Sequence, residues 1–194
     1  MSVAVRRLSP DETAARLGDL ARLRIEVFRE WPYLYDGDLA YERRYLAAYA
    51  APSACVVGAF DGDAMVGAAT AAPMEDHASE FGAAAAALGR PPEAVWYLAE
   101  SVLLPTWRGR GLGHRFFDLR EAAGCEAGRA VAAFCAVRRP ADHPMRPAGA
   151  RDLAPFWRAR GYAPVPGGEV RFAWRDLGRA AETEKALDLW ARPL

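Results

Sequence analysis

The chain has 194 residues, and one stretch of it reads as chemistry: Glu100-Ser-Val-Leu-Leu-Pro-Thr-Trp-Arg-Gly-Arg-Gly-Leu-Gly-His114. Glycines at 109, 111 and 113 lie between an apolar run that reads as a strand and a stretch that reads as a helix. Such a turn leaves several backbone N–H groups unpaired at a helix N-terminus, where the helix dipole reinforces them and favours an anion. Glycine lets the backbone approach a ligand with no Cβ in the way. Arg108 and Arg110 add positive charge, and the chemistry indicated is binding of a pyrophosphate. A Walker loop is excluded because no Lys-Ser/Thr follows. A dinucleotide fingerprint fits poorly: its third glycine would fall at His114, and the next strand ends at Arg138 instead of on an acid that could hold a ribose. The turn also lies at mid-chain, whereas that fold normally begins with it.

Composition narrows the field. Lys+Arg and Asp+Glu are both 25, Lys185 is the only lysine, and the chain contains no Asn or Gln. No side-chain amide is available to orient a substrate, and almost no lysine to act as a nucleophile. Zero net charge argues against a general polyanion binder, so nucleic acid is not an expected partner. The 52% apolar content belongs to a folded chain, and its length to one domain over 1–194. Residues 1–10 lack the apolar core of a signal peptide, and no apolar run approaches the roughly 20 residues that span a bilayer, so a cytoplasmic protein with no membrane contact is expected. Cys55, Cys125 and Cys135 are widely spaced and near no histidine cluster, which reads as three reduced structural thiols and no metal site.

Periodicity supplies the elements that must position the turn. Residues 3–8 read as a strand. Ser9-Pro10-Asp11-Glu12 is a helix start with a capping box, and the helix is expected to run to about residue 30. Asp38 caps a second helix over 39–49. Strands over 53–60 and 64–72 flank Asp61-Gly62-Asp63, a hairpin signal. A helix is expected over 82–88, a strand over 95–104, a helix over 111–124, a strand over 130–137, a long loop over 138–151 and a short helix over 153–160. Residues 170–176 and 185–192 read as a final antiparallel pair. Consecutive strands mixed with strand–helix–strand crossovers imply a mixed sheet in one α/β (α+β) domain.

Leu103-Leu-Pro-Thr-Trp-Arg-Gly-Arg-Gly-Leu-Gly113 resembles the V-x-P-x-aromatic-R-G-x-G-x-G acyl-CoA motif of the GNAT-superfamily N-acetyltransferases. Phe156-Trp-Arg-Ala-Arg-Gly-Tyr162 resembles the family's F-Y-x-x-x-G-F helix end, and the order of elements agrees across nearly the whole chain. Within the superfamily, Glu26-Val-Phe-Arg-Glu-Trp-Pro-Tyr-Leu-Tyr-Asp-Gly37 resembles a bacterial subgroup. The resemblance implies a mostly antiparallel central sheet with a splayed strand pair and helices on both faces. It further implies direct transfer of acetyl from acetyl-CoA to a small-molecule or peptide amine.

On that resemblance, Arg108, Gly109, Arg110, Gly111, Leu112, Gly113 and His114 would hold the pyrophosphate. Val102 and Leu103, at a bulge beside the splay, would pair with the pantetheine and polarise the thioester carbonyl. Glu100 is the expected general base, acting directly or through water; the alternative is a carboxylate that only binds a cationic amine or a nearby arginine. The family's tyrosine that protonates the leaving thiolate is replaced by Trp157, and the asparagine often found near Val137 is missing. The general acid is therefore open among Tyr33, Tyr35 and His143, with Asp142 and Arg146 in the same loop. Tyr33, Tyr35 and Asp36 are expected to line the acceptor pocket. Acidic residues gather there, at Asp36, Asp38, Glu42, Glu75, Asp76 and Glu100, which reads either as affinity for a cation or as helix capping and solvated loops. Trp174 and Trp190 on the last strand pair could form a homodimer surface. The competing class is a weakly catalytic acyl-CoA-binding module, suggested by Trp157 and the missing asparagine.

Overall fold

The computed structural model describes residues 3–77, 81 and 86–194. In chain order the elements are β1 (Ala4–Leu8), α1 (Pro10–Ala15), α2 (Leu17–Phe28), α3 (Leu39–Leu46), β2 (Cys55–Asp61), β3 (Ala64–Pro73), β4 (Val95–Tyr97), β5 (Ser101–Leu103), α4 (Leu112–Glu126), β6 (Val131–Val137), α5 (Ala154–Ala159), β7 (Ala163–Arg175) and β8 (Glu182–Pro193). The helix expected over 82–88 falls largely on residues outside the described ones.

The local signals at the N-terminal helices act as read. The Ser9 hydroxyl accepts from the Glu12 N–H at 3.1 Å, and the Glu12 carboxylate accepts from the Ser9 N–H at 2.9 Å. Asp38 accepts from the Tyr41 N–H at 2.8 Å and starts α3. The single helix expected over 10–30 is instead two, because Arg16 leaves the helical region at φ −108°, ψ 15°.

The sheet runs β1-β2-β3-β4-β6-β8-β7, with β5 off this path against β3. Every pairing is antiparallel except β4 with β6. Both faces of the central strands are covered, which is why β2 and β3 read as apolar runs rather than alternations. One core gathers Leu20, Leu23 and Phe28 of α2 and Leu46 of α3 over Val56, Met65 and Ala68. A second packs Leu112, Phe116 and Phe117 of α4 over Val57, Val66, Trp96 and Phe134, with Phe156 and Trp157 of α5 alongside, and a third gathers Met74, Tyr97, Ala133 and Leu189.

The strand read over 95–104 is split by a bulge. Thr70 donates its N–H to the Glu100 carbonyl at 3.0 Å and accepts from the Ala99 N–H at 3.0 Å, so one residue of β3 faces two on the neighbouring strand. The contact with β6 ends where the Leu98 N–H reaches the Ala133 carbonyl at 2.8 Å. Beyond it β5 stays with β3 while β6 continues along β8, and the two strands part. Gly67 permits this geometry: a Cβ there would stand 2.5 Å from Leu103 Cδ1 and 3.0 Å from the Val102 carbonyl oxygen.

The final pair is longer than expected, reaching from Ala163 to Pro193. Its tryptophans are engaged within the chain. Trp190 is buried beside Phe134 and Trp157, and Trp174 donates its indole N–H to the Tyr33 carbonyl at 3.0 Å. All three cysteines are free; Cys55 is buried and Cys135 half-buried, but Cys125 is exposed, unlike the structural thiol expected there. Among the described residues no helix is long and apolar enough to cross a membrane, and no group of His, Cys, Asp and Glu could hold a metal ion.

Candidate active site

A short 3-10 turn over Pro105–Trp107 carries the chain from β5 to the glycine turn. Gly109 and Gly111 have φ of +75° and +78°, which a residue with a Cβ adopts only under strain. Gly113 is different: it is helical, and a Cβ there would meet only Phe156 at 3.7 Å, an ordinary contact. The protein itself leaves room for a side chain at 113, so the missing Cβ keeps space for something else. The N–H groups of Gly109 through Gly113 have no acceptor among the described residues, whereas that of His114 reaches back to the Gly111 carbonyl at 3.1 Å. Five open donors at the start of the 15-residue α4 fit a pyrophosphate.

The side chains around the turn are partly committed. Arg108 donates to the Leu103 carbonyl at 2.9 Å and pairs with Glu30 at 2.7 Å, which ties the turn to the end of α2. Arg110 lies 4.7 Å over the Trp107 ring. His114 rests on Phe156, with Arg160 at 3.3 Å from its Nδ1. Leu112 is buried in the core beneath the turn.

Antiparallel pairing alternates residues whose backbone faces the partner strand with residues whose backbone faces away. The Leu104 N–H bonds the Val66 carbonyl and the Thr70 N–H bonds the Glu100 carbonyl, which sets the phase. The backbone groups of Val102 therefore face β3, and those of Ser101 and Leu103 face the splay. Leu103 thus turns its N–H to the splay, with its carbonyl taken by Arg108, while Val102 contributes a buried side chain.

The bulge directs the Glu100 side chain onto the α2–α3 face. It is buried there, accepts from the Tyr45 hydroxyl at 2.7 Å, hydrogen-bonds the Thr70 hydroxyl and forms an ion pair with Arg24. Arg24 also pairs with Glu42, which is fully buried, and its guanidinium lies 4.9 Å over Phe28 and 4.6 Å over Tyr45. Burial alone would lower the Arg24 pKa, but Glu100, Tyr45 and Glu42 together raise it above its ordinary value. The Tyr45 and Tyr49 hydroxyls are 3.3 Å apart, and burial followed by the Glu100 charge pushes both phenols up. Arg24 is thus an arginine partner of Glu100, drawn from a segment far away in the chain.

A second buried arginine reaches the bulge from the opposite face, and sequence reasoning missed it. Arg120 of α4 donates to the Thr70 carbonyl at 3.1 Å, the Glu100 carbonyl at 3.0 Å and the Ser101 hydroxyl at 2.8 Å. Burial lowers its pKa to about 10, which leaves it cationic at neutral pH. The available signal was its place four residues after Phe116, on the apolar stripe of its helix.

The turn between α2 and α3 closes over this region. Tyr33 stacks on Phe28 at 4.1 Å, and its phenol is pushed up by burial and then by Glu100, partly opposed by Arg24. Its ring also lies 5.8 Å from that of Trp174. The Tyr35 phenol is pushed up by burial first and then by Glu42. Asp36 pairs with Arg175 at 3.0 Å, away from Glu100. Of the other acids, Asp38 is a helix cap, Glu42 is paired to Arg24, and Glu75 is paired to Arg129 at 2.8 Å. Most of the acidic cluster thus has local structural partners.

Arg139 anchors the turn to β7, donating to the Pro32 carbonyl at 2.9 Å and the Tyr33 carbonyl at 2.7 Å while pairing with Asp176 at 2.8 Å. Lys185 lies against the same Asp176 at 3.3 Å and donates to the Trp174 and Thr183 carbonyls at 2.6 and 2.8 Å. Burial lowers its pKa, opposed by Asp176. His143 sits in the 138–151 loop, its ring 5.4 Å from that of Trp31. Trp157 packs on Phe134 and Trp190 at 5.0 and 5.2 Å.

Comparison with known proteins agrees with this architecture. A ribosomal-protein-alanine N-acetyltransferase from Brucella melitensis superposes with a TM-score of 0.63 at 16% identity, covering 98% of this chain and 99% of that one. An aminoglycoside 6'-N-acetyltransferase in complex with coenzyme A gives 0.62 at 16% identity, covering 98% and 96%. The PaiA N-acetyltransferase from Thermoplasma acidophilum, also in complex with coenzyme A, gives 0.56 at 12% identity over all of both chains. Among curated protein sequences none matches significantly. The sequence model of the acetyltransferase (GNAT) family matches residues 20–146, which include the bulge, the splay and the glycine turn, and the chain belongs to that family of acetyltransferases.

Proposed function

We propose that this acetyltransferase moves acetyl from acetyl-CoA to a primary amine within a ternary complex. The observation that carries the reading is the run of five open N–H groups at Gly109–Gly113, immediately downstream of a strand pair that parts. Those donors suit the pyrophosphate, and the outward backbone of Leu103 and Ser101 suits the pantetheine and the thioester carbonyl. Acetyl-CoA would supply an activated carbonyl whose sulfur leaves. The amine nitrogen attacks that carbon, a C–N bond forms and the C–S bond breaks. The backbone N–H facing the splay stabilises the charge that develops on the oxygen.

Two protons must move. Glu100 is proposed to take the one lost by the amine, and Tyr33 to give one to the departing thiolate. Its phenol is protonated at neutral pH, although burial and Glu100 hold it above its ordinary range and make it a weaker acid. Trp157 cannot do this, since an indole N–H is a donor and not a useful acid. Asp36 and Tyr35 would shape the mouth of the acceptor site rather than touch the reacting atoms. The free cysteines suit a reducing compartment, and we place the protein in the cytoplasm.

A second reading of Glu100 is favoured by its three partners: it anchors Arg24 and takes no proton. Glu100→Gln separates the two. A base role predicts a fall in kcat with acetyl-CoA affinity retained and a changed pH profile. An anchoring role predicts a lower melting temperature and an unchanged profile. For the reaction itself the test is thiol release from acetyl-CoA across a panel of amines, with calorimetry for binding. Release with at least one amine supports transfer. Tight binding with no release across the panel makes the chain a weakly catalytic acyl-CoA-binding module, and no binding at millimolar acetyl-CoA overturns the proposal.

A further inference from the structure

Arg120 makes little sense as a contribution to stability alone. It is 1% exposed, and among the described residues it forms no ion pair. All its acceptors are neutral: the carbonyls of Phe116, Thr70 and Glu100 and the hydroxyl of Ser101. A buried cation without a carboxylate carries a large desolvation cost, and well-packed apolar residues often replace such groups without loss. The local gain is a cation–π contact with Phe117 at 5.0 Å, which burial strengthens. What the guanidinium does that no apolar side chain could do is grip the bulge. One nitrogen binds the carbonyls of Thr70 and Glu100, which face one another across it, and a second binds the side chain of the next residue.

We infer that Arg120 is a positioning residue for acetyl transfer: it holds the Ala99–Glu100 bulge in shape and polarises the Glu100–Ser101 peptide, whose N–H faces the splay. A cation donating to a peptide oxygen draws electron density from that peptide and makes its N–H a stronger donor. The two functions of the bulge, turning the Glu100 side chain to one face and the Ser101 N–H into the gap, both depend on this one peptide. Arg120 therefore acts through the Ser101 N–H on the carbonyl that is attacked, without touching substrate. This rests on the acyl-CoA reading proposed above.

The test uses acetyl-CoA labelled with carbon-13 at the thioester carbonyl and reads its stretch by difference infrared spectroscopy on the wild type, Arg120→Met and Arg120→Lys. The bound carbonyl is expected at lower frequency than in solution for the wild type, with at least half of that shift lost in Arg120→Met. There, kcat should fall about tenfold or more. The acetyl-CoA dissociation constant should stay within about threefold, because the glycine turn is untouched. Arg120→Lys keeps the charge but cannot span all these acceptors, and it should lose part of the shift; it carries the test if Arg120→Met does not fold. A carbonyl stretch equal to wild type in a folded variant overturns the inference, as does an unshifted carbonyl in the wild type. Failure of the wild type to bind acetyl-CoA overturns the acyl-CoA reading and this inference with it.

Discussion

Removing Arg24 tests whether the α2–α3 face is held by charge or by packing. Arg24 is the shared cation of two buried carboxylates, with side-chain exposures of 12% for Arg24, 0% for Glu42 and 8% for Glu100. Arg24→Met keeps much of the stem between Phe28 and Tyr45 but leaves both acids without a cation. Breaking a buried pair by removing one partner costs about 3–5 kcal/mol. Glu100 keeps the Tyr45 and Thr70 hydroxyls, which favours the lower half of that range, while loss of the stacked guanidinium adds roughly 1 kcal/mol. The sum is about 4–5 kcal/mol. At roughly 2–4 °C per kcal/mol for a chain of this size, the melting temperature should drop by about 8–20 °C. Urea unfolding of Arg24→Met, Glu42→Gln and the double variant closes a thermodynamic cycle. The double variant should lose about 1–3 kcal/mol less than the two single losses added together. Additivity to within about 0.5 kcal/mol, or a loss under about 1 kcal/mol for Arg24→Met, would refute the argument that this face is organised by a shared charge.

The turn glycines should separate backbone demands from ligand demands. Gly111→Ala is expected to cost about 1–2 kcal/mol in urea unfolding, because φ is +78° there. Gly113→Ala should leave stability almost unchanged and still weaken acetyl-CoA binding about tenfold or more by calorimetry; a large stability loss would mean that the 3.7 Å contact with Phe156 is misjudged. Glu12 is held at about 2 by its hydrogen bonds with Arg6 and the Ser9 N–H. A carboxylate depressed in the folded state stabilises above its unfolded pKa of about 4.3 and loses that contribution as pH falls towards the folded value. Glu12→Gln should therefore flatten the acid limb of a melting-temperature curve between about pH 5 and pH 2. Burial, with a smaller effect of Asp188, pushes the Cys135 thiol up to about 12, and burial also raises Cys55. A thiol reagent at pH 8 should modify exposed Cys125 first and the other two only on unfolding.

Legibility in the sequence followed the range of the interaction. The capping box at Ser9, the cap at Asp38 and the glycine turn at 109–113 are local devices, and each reads directly because its partner lies within a few residues. The order of strands was readable because the hairpin signals and the apolar runs punctuate the chain. The bulge was not, because its position is set by Thr70, thirty residues upstream of Glu100. The same holds for the ion pairs. Arg24 and Glu100 come from distant segments, and a count of acids near Glu100 could not show that Glu42 and Glu75 already have arginine partners. Trp174 and Trp190 looked available for a partner chain until the fold turned them towards Tyr33 and Phe134.

The buried position of Lys185 has a consequence for a protein that handles an activated acyl donor. A thioester carbonyl is open to attack by any exposed unprotonated amine, so a lysine-rich surface would compete with the acceptor. Here every lysine or arginine side chain but one is a guanidinium, which does not compete for acetyl groups. The single ammonium is 5% exposed and held by Asp176, the Trp174 carbonyl and Thr183. The exposed arginines thus carry positive charge without offering a lysine amine for adventitious self-acylation, which leaves the exposed Cys125 thiol as the side chain open to such an adduct. Amine-directed labels and crosslinkers should likewise find no lysine on the native protein.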